Sequence, residues 1–339
     1  MVASVKDVAE LASVSASTVS NYFHRPHLLS AASHDRIEAA IKTLGYVPNE
    51  SARQLRNGAS RTLALILLDA WQPFFANIAR GVEDAVREAG WSLFFANSGR
   101  DEDRELTNIA MFDAHRVQGV IINPKGDVTE SLLRLQKRGI QCVSMSPPIV
   151  SPEVPSVAFD DLRGGQLAGE HLLALGRKRI VFIGDSQSVS HSAKRFAGLQ
   201  AAVRAARGSS ADVPEIHVRA LDMANGMLVG EQLLQLPNAD RPDAIFAAND
   251  MLALGVMTVF ERAGLRIPEA IAIIGYDDVE FAGQAVVPLT TIRQPAYDMG
   301  RRAAAMLLQR LDNPETPAEH VNFDVRLIRR ASTLGNSKE

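Results

Sequence analysis

The sequence has a single cysteine, Cys142, among its 339 residues. A lone cysteine cannot form an internal disulfide, and it excludes zinc sites built from several cysteines. Long hydrophobic runs are missing too: the longest clear one, residues 63–68, has the length of a strand, whereas a membrane-spanning helix needs roughly 18 apolar residues. The first ten residues carry three charged side chains, which argues against a secretory signal peptide. We therefore expect a cytoplasmic protein with no metal site and no cofactor.

Excess charge of one sign is also lacking. The net charge is only −3, and the first sixty residues hold six basic against five acidic side chains. A nucleic-acid-binding domain usually carries a basic patch or stripe, and charge alone does not indicate one here. The length of 339 residues is typical of two or three domains. A content of 46% hydrophobic and 22% charged residues is typical of a folded, soluble protein.

The first thirty residues nevertheless contain two short helices joined by a tight turn. Ser4 can cap a helix over residues 5–12, with Val8 and Leu11 facing inward, and Ser15 can cap a second helix over residues 16–23. Such a pair forms a helix-turn-helix, whose second helix enters the major groove of DNA and meets base edges with its early residues. Here those residues are small and polar: Ala16, Ser17, Thr18, Ser20 and Asn21.

A third helix and a short basic segment follow. The helix is expected over residues 31–44, with Ser30 as its cap and Gly45 at its end. The segment over residues 50–57 carries two arginines and the isolated apolar residue Leu55. Leu55 could be a wedge between base steps in the minor groove or a residue that docks against the next domain. The pattern by itself favours neither.

These two stretches resemble a known family. They read VKDVAELASVSASTVSNYFHRP and RIEAAIKTLGYVPNESARQLRNGAS, and they are similar to the headpiece of the lactose/galactose repressor (LacI/GalR) family. The resemblance implies base contacts at Ala16, Ser17 and Asn21, and minor-groove intercalation by Leu55 in a hinge helix that orders on operator DNA. The DNA-binding residues expected in all are Ser4, Ala16, Ser17, Thr18, Ser20, Asn21, His24, Asn49, Ala52, Arg53, Leu55 and Arg56.

Three positions depart from the family pattern. The family usually has Gly, Arg and Asn where this chain has Ser13, Asn21 and His24. Ser13 is expected to adopt a left-handed conformation at a cost of about 1 kcal/mol. Arg reads guanine, whereas Asn prefers adenine, so we expect a different operator base opposite residue 21. The alternative is that Asn21 contacts phosphate or only solvent.

Beyond residue 60, apolar strand-length runs alternate with amphipathic helices. Strands are expected over residues 62–68, 92–96, 119–123, 141–145, 179–183, 215–219, 244–247 and 271–275. Continuous apolar strands separated by helices indicate parallel sheets covered on both faces. Eight strands are many for one compact sheet, and the Pro-rich residues 146–156 interrupt them near the middle. Two similar lobes follow, with the cleft between them as the default ligand site.

The family resemblance continues across this region. The blocks VAFDDLRGGQLAGEHLLALGRKRIVFIG, KRFAGLQAA, FAANDMLALGVM, IAIIGYDD and PLTTIRQP resemble the family's effector domain, which is similar to periplasmic sugar-binding proteins. The resemblance implies that the chain crosses between lobes near residues 157–161 and 289–295, and that a last helix over residues 296–311 returns to the first lobe.

The expected fold is therefore an all-α helix-turn-helix headpiece joined to an α/β, two-lobed, periplasmic-binding-protein-like effector domain with two parallel doubly wound sheets. We assign residues 1–48 to the helix-turn-helix domain, 49–60 to the hinge and 61–339 to the effector domain. The first lobe takes about 61–157 and 293–318, and the second about 161–289 and 319–332.

Polar residues at the ends of the expected strands are candidates for the cleft. The resemblance assigns effector contacts most firmly to Arg195 and Asp277. At Leu221 the family often has an aromatic ring, so an aliphatic residue there disfavours a stacked purine. The expected effector-binding residues are Asp69, Phe75, Asn123, Asp160, His191, Arg195, Leu221, Asn249 and Asp277.

Plainer roles stay open for several of these positions and their neighbours. Asp250 could serve only as a helix cap, and Asp160 only to fix the crossover. Arg195 could pair with a surface acid. Phe74 and Phe75 are adjacent, so at most one of them faces the cleft.

The pattern and the resemblance together predict a DNA-binding regulator, a repressor that acts as a homodimer under the control of a sugar or sugar acid. An enzyme is the first alternative, but no GxSxG, HExxH, Walker or GxGxxG motif is present. Adjacent acids also point apart on a strand and do not share a catalytic proton. A solute-binding protein is the second alternative, and it leaves the first sixty residues unexplained.

Overall fold

The computed structural model of the protein describes residues 3–46, 61–145, 151–185 and 191–335, with only the backbone of His24. It divides the chain into two units, residues 1–60 and 61–339. None of the described helices is long and apolar enough to span a membrane. The predicted hinge falls outside the described residues, together with the proposed roles of Asn49, Ala52, Arg53, Leu55 and Arg56.

Serine caps define the helices of the first unit, which are α1 (Val5–Leu11), α2 (Ala16–His24), a 3-10 turn (Pro26–Leu28) and α3 (Ala31–Leu44). The Asp7 backbone N–H donates to Ser4 Oγ (3.4 Å), and the Ser4 N–H donates to the Asp7 carboxylate (2.7 Å), which completes a capping box. Ser15 caps α2 and Ser30 caps α3. Ser13 has φ 52°, the left-handed conformation expected from the sequence.

The core of the first unit is small and lies between the three helices. It contains Val8, Val19 and Ile37, each fully buried, and Ala9 and Ala12 extend it along α1. The expectation that Leu11 faces inward is wrong, because Leu11 is 52% exposed. The inward face of α1 is centred between Val8 and its neighbours Ala9 and Ala12, and Leu11 lies outside that arc.

The second unit begins with a lobe built on a six-stranded sheet. Its first elements are β1 (Thr62–Leu67), α4 (Pro73–Glu88), β2 (Ser92–Asn97), α5 (Glu102–Ala114), β3 (Gly119–Ile122), α6 (Thr129–Lys137), β4 (Gln141–Ser144) and β5 (Ser156–Phe159). The interior strand β1 is buried along its whole length and pairs in parallel with β2 and β3. Such a strand needs helices on both faces, which α4, α5 and α6 help to supply.

The second lobe repeats this plan, and the chain then returns to the first. The elements are α7 (Asp161–Ala174), β6 (Ile180–Asp185), α8 (His191–Arg207), β7 (Glu215–Val218), α9 (Met223–Gln235), β8 (Ala244–Ala247), α10 (Asp250–Arg262), β9 (Ala272–Asp277), α11 (Glu280–Gln284), β10 (Thr290–Arg293), α12 (Ala296–Asp312), β11 (His320–Phe323), β12 (Arg326–Ile328) and α13 (Ala331–Leu334). The sheets have the orders β11-β5-β4-β3-β1-β2 and β12-β10-β9-β8-β6-β7. The two-lobed α/β fold class is confirmed.

Four strands that the sequence did not predict, β5, β10, β11 and β12, lie beside the crossings between lobes. One correction follows from them. Residues 319–332 were assigned to the second lobe, but β11 pairs in parallel with β5 in the first sheet, with Val321 opposite Val157. Only β12 joins the second sheet, antiparallel to β10. The chain therefore crosses a third time between Phe323 and Arg326.

Facing glycines allow pairs of helices to pack at close range. Gly81 on α4 and Gly300 on α12 lie opposite each other's backbones: a Cβ on Gly81 would overlap the Tyr297 carbonyl oxygen, and one on Gly300 would overlap that of Ile78. The pairs α7–α8 and α9–α10 meet in the same way. Backbone atoms cannot yield as a flexible side chain can, so a side chain at any of these positions would force the paired helices apart.

We expect Gly300→Ala to lower the free energy of unfolding by about 1–3 kcal/mol, the usual cost of overpacking a well-packed core. The matched control is Gly283→Ala on α11, where the new Cβ would lie 3.7 Å from the nearest atoms of Arg330, an ordinary contact. Urea unfolding of both variants measures the difference. Equal stability of the two variants would show that α4 and α12 do not pack as described.

Candidate functional site

The early residues of α2 form a small polar surface on the first unit. Ala16 and Ser17 are exposed, and Ser20 and Asn21 are half-buried. On the opposite side Val19 is fully buried and anchors α2 to the core. With no large side chain among them, these four residues leave the helix backbone accessible to a broad groove. Such an arrangement suits a helix that enters the major groove of DNA.

The hydroxyl groups at the start of α2 are already bonded to one another. Ser15 Oγ lies 2.6 Å from Ser17 Oγ and 2.7 Å from Thr18 Oγ1, and it accepts the Thr18 N–H at 3.1 Å. Thr18 therefore supports the helix start, and Ser17 would have to rotate to bond a base. Ser4, also expected to contact DNA, is exposed but engaged in its capping box with Asp7. The contacts of all these residues with DNA stay predictions.

The first unit also holds a cluster of ligand-type atoms. His34, Asp35 and Glu38 have such atoms within 4.8 Å of one another on α3. Asp35 and Glu38 are exposed, and His34 Nδ1 lies 3.9 Å from Glu38 Oε2, as in a solvated pair one helical turn apart. The cluster is not evidence for a bound ion.

In the second unit, the carboxyl ends of the two sheets face each other. Gln72 follows β1 in the first lobe, and its Nε2 donates to the Leu221 carbonyl oxygen at 2.9 Å. Leu221 follows β7 in the second lobe, and Asn249, which follows β8, also donates to that oxygen at 2.9 Å. Residues just beyond three strand ends therefore meet across the cleft. This is where ligands bind in sheets of this kind.

A buried carboxylate organises the second lobe's side of the cleft. Asp161 accepts a hydrogen bond from Arg195 Nε at 2.8 Å, and its other oxygen lies 2.6 Å from His191 Nδ1. Burial alone would raise the pKa of Asp161, but the charge of Arg195 and then that of His191 hold it well below its usual range. Asp161 is therefore ionised and paired.

Arg195 connects this carboxylate to the rest of the second lobe. It is only 6% exposed, it donates to the Ala248 carbonyl oxygen, and its guanidinium carbon lies 3.6 Å from the centroid of the Tyr276 ring. Nη1 is also 3.9 Å from Asp277 Oδ1. The alternative that Arg195 pairs with a surface acid is wrong, because its partner Asp161 is buried.

Sequence reasoning missed Asp161 as a site residue and chose its neighbour. Asp160 caps α7 by accepting the Arg163 N–H at 2.9 Å, and it marks the point where the chain leaves β5. The pair of adjacent acids was visible in the sequence, but nothing in the pattern showed which carboxylate was buried.

Asp277 ends β9 in an unusual backbone conformation. Its φ is 109°, and that of Asp278 is 58°; residues other than glycine rarely adopt such angles. Arg293 and Arg330 both donate to the Asp278 carboxylate, at 2.5 and 2.7 Å, and hold the turn in place. Gln294 Nε2 donates to Asp277 Oδ1 at 2.7 Å. Burial raises the pKa of Asp277 to about 7, against the opposing charge of Arg195.

The sequence left open that Asp250 serves only as the cap of α10, and the structure contradicts this role. The cap is Asn249, whose Oδ1 accepts the Leu252 N–H at 2.9 Å. Asp250 is fully buried and instead accepts from Thr291 Oγ1 (2.6 Å) and from the Val279 N–H (2.8 Å). These bonds connect the start of α10 to β10 and to the turn after β9, and they hold that turn in place.

Asn123 Oδ1 in the first lobe is one of several buried side-chain atoms that have no hydrogen-bond partner among the described residues. Asn123 is 4% exposed, and its Nδ2 donates to the Met145 carbonyl oxygen at 2.7 Å, which fixes the orientation of the amide. Its Oδ1 then receives no hydrogen bond. A buried unsatisfied acceptor is costly, and the binding of an effector by Asn123 stays a prediction.

The remaining candidates of the first lobe have protein partners. Asp69 Oδ2 accepts from Arg100 Nε at 3.3 Å, and its Oδ1 accepts the Trp71 N–H at the same distance. Phe75 is 8% exposed, and its ring meets that of Phe74 edge to face at 5.1 Å. A contact between Phe75 and a ligand stays a prediction.

Comparison with known proteins places the two units in one family. Residues 4–49 match the model of bacterial regulatory proteins of the lacI family, and residues 169–333 match the periplasmic binding protein-like domain. The chain is 30% identical over 338 residues to the HTH-type transcriptional repressor PurR of Aliivibrio fischeri, with 99% of this chain and 100% of that protein covered.

Two solved structures extend the likeness. A LacI family transcriptional regulator from Enterococcus faecium with bound ribose is 28% identical and has a TM-score of 0.73 over 80% of this chain and 98% of that one. The lac repressor dimer bound to operator and the anti-inducer ONPF is 27% identical, with a TM-score of 0.81 over 98% and 99% of the two chains.

The raised pKa of Asp277 predicts a pH dependence of stability. An unfolded aspartate titrates near ~3.9, whereas Asp277 in the folded chain titrates at about 7, so folding favours the protonated form. Its contribution is complete below pH ~4 and is lost as the pH rises through about 7. We expect the unfolding free energy of the protein, minus that of Asp277→Asn, to fall by about 1 kcal/mol per pH unit between pH 5 and 7. Urea titrations at several pH values test this, and parallel curves would contradict it.

Proposed function

Because the chain belongs to the LacI family of bacterial regulatory proteins, we propose that it is a cytoplasmic, homodimeric repressor whose affinity for operator DNA is controlled by a sugar bound in its cleft. It is a DNA-binding transcription regulator controlled by a small-molecule effector, and not an enzyme. The dimer, the location and the class of effector are proposed in addition.

The surface of α2 carries the DNA-binding part of the proposal. Exposed small residues at the start of a helix that is anchored by Val19 suit close approach to base edges. In a dimer two such helices would read the halves of a roughly palindromic operator, as the similar lac repressor is a dimer on its operator. The wedge role of Leu55 and the contacts of Asn49, Ala52, Arg53 and Arg56 belong to this proposal on sequence resemblance alone.

The polar groups around the cleft support a carbohydrate. Asn123 offers an unsatisfied acceptor from one lobe, and Asp277 offers a carboxylate from the other, with the Arg195 charge 3.9 Å from it. Sugar hydroxyl groups both donate and accept hydrogen bonds and can join such groups. The ribose-bound regulator shows that a chain of this fold accommodates a sugar.

The charges favour a neutral sugar over a sugar acid. The positive charge of Arg195 is already paired with Asp161 at 2.8 Å. A ligand carboxylate would therefore find no unpaired cation among these cleft residues, because Arg100 is likewise paired with Asp69 at 3.3 Å. Above about pH 7 it would also meet an ionised Asp277. Like charges at short range raise the cost of burial, whereas hydroxyl groups carry no such cost.

Control of DNA binding follows from linkage between the two sites. If the effector changes the affinity for operator DNA by some factor, DNA must change the affinity for the effector by the same factor. The cleft residues lie on both lobes, so an effector that bonds to both fixes their relative position. We propose that a change in the relative position of the lobes alters how the two headpieces of a dimer bind DNA.

Selection from random duplex DNA with the full-length protein tests the DNA-binding proposal. We expect a roughly palindromic site with adenine opposite residue 21, because Asn pairs with adenine through two hydrogen bonds. Asn21→Arg should change that base to guanine and leave the other positions unaltered. The same site for both proteins would show that residue 21 does not read a base, and failure to enrich any duplex would overturn the proposed function.

Asn123→Leu tests the effector proposal by calorimetry with D-ribose and a panel of other neutral sugars, sugar acids and nucleobases. Loss of the acceptor should weaken binding of the sugar about 10-fold or more. Loss of the Asn123 Nδ2–Met145 hydrogen bond should also lower the free energy of unfolding by ~1 kcal/mol, so binding is measured at a temperature where the variant is fully folded. The control is Asn108→Leu on α5, where a half-buried amide also has a buried, unpartnered atom, Nδ2. A nucleobase or sugar acid as the sole ligand, or unchanged affinity in Asn123→Leu, would contradict the proposal.

A further inference from the structure

Gln72 occupies the N-cap position of α4, but its side chain makes no capping bond. An N-cap side chain usually accepts an N–H of the first helical turn, and here Pro73 fixes the start of the helix instead. The backbone of Gln72 is anchored in the first lobe, where its N–H donates to the Asp69 carbonyl oxygen at 3.2 Å. The Gln72 side chain is therefore available for hydrogen bonds outside its own helix.

Both halves of the Gln72 amide bond to the opposite lobe. Nε2 donates to the Leu221 carbonyl oxygen at 2.9 Å, and Oε1 lies 3.5 Å from Asn249 Nδ2. The orientation of the Asn249 amide is fixed independently, because its Oδ1 accepts the Leu252 N–H. Asn249 Nδ2 also donates to Leu221, so three polar groups from the two lobes form one network.

We propose that Gln72 is an interlobe latch, a residue that positions the two lobes for effector binding by holding the cleft closed. The inference rests on the proposed function in that the cleft is taken as the effector site. Among the expected effector-binding residues, Gln72 contacts Asn249 and the backbone of Leu221. It affects effector binding indirectly, by changing how far apart the lobes lie. Opening the cleft requires both of its bonds to break.

The latch determines what fraction of the chains are closed before the effector binds. An effector that binds only the closed cleft has an apparent affinity reduced by the fraction of chains that are closed. A hydrogen bond contributes a net ~1 kcal/mol, so loss of the Gln72–Leu221 bond should raise the ratio of open to closed chains about fivefold.

The distance between two spin labels, measured by double electron–electron resonance, reports the opening without any effector or DNA. Labels can be placed through Asn77→Cys on α4 and Ala224→Cys on α9, both exposed and near the strand ends. Cys142 does not compete for label, because it is fully buried and burial raises the pKa of its thiol well above the usual value. Dilution with unlabelled chains restricts the signal to pairs within one chain.

In this labelled background, Gln72→Ala and Gln72→Glu should both show a longer-distance population, about fivefold larger relative to the short one than in the parent. Gln72→Glu has nearly the same size and lacks the donor, so it tests the hydrogen bond rather than the packing. The control is Gln284→Ala, an exposed glutamine that bonds only Glu280 on its own helix, at 3.0 Å, and it should match the parent.

The latch is refuted by unchanged distances in both Gln72 variants, by a change in Gln72→Ala alone, or by an equal change in Gln284→Ala. Circular dichroism of each variant confirms that it is folded. Because neither sugar nor operator enters the measurement, a failed latch leaves the proposed function standing. Conversely, a chain that binds no sugar could still open when Gln72 is replaced.

Discussion

The buried carboxylate of Asp161 is the charge on which the second lobe's half of the site depends. Placing an ionised group in a protein interior costs several kcal/mol, and the cost is offset here by Arg195 and His191. Arg195 in turn touches the Ala248 carbonyl oxygen, the Tyr276 ring and the vicinity of Asp277. One carboxylate at the start of α7 thereby sets the positions of groups that follow two different strands, β8 and β9.

The strained turn after β9 shows how the same lobe holds an unfavourable backbone conformation in place. Asp277 and Asp278 both have positive φ angles, which cost of order 1–3 kcal/mol each in such residues. Arg293 and Arg330 bind one carboxylate of the turn from the side, and Asp250 accepts the N–H that follows it. Gln294, at the crossing between lobes, bonds the other carboxylate. Asp277 is therefore bonded directly to a segment in which the chain crosses between the lobes.

Sequence patterns predicted most of the fold, because most of the eight predicted strands are short apolar runs that alternate with amphipathic helices. The edge strands β2 and β7 are only partly buried. The strands β11 and β12 escaped notice because each is three or four residues long with no fully buried position, and their pairing depends on partners more than 30 residues away. The site residues also fall into those that the sequence predicted and those that it did not. Arg195, Asn249 and Asp277 stood out at strand ends or by resemblance. Asp161 and Gln72 could not, because their roles come from partners 34 and 149 residues distant.

The third crossing of the chain has a consequence for solubility. The strands β5 and β10 have almost wholly buried side chains, and each would be an edge of its sheet if the chain stopped before residue 320. Exposed edges of buried, flat strands pair readily with other molecules and lead to aggregation. The short strands β11 and β12 cover both edges with less apolar side chains. Residues 320–328 thus cover an edge of each sheet that would otherwise be open to pairing with neighbouring copies.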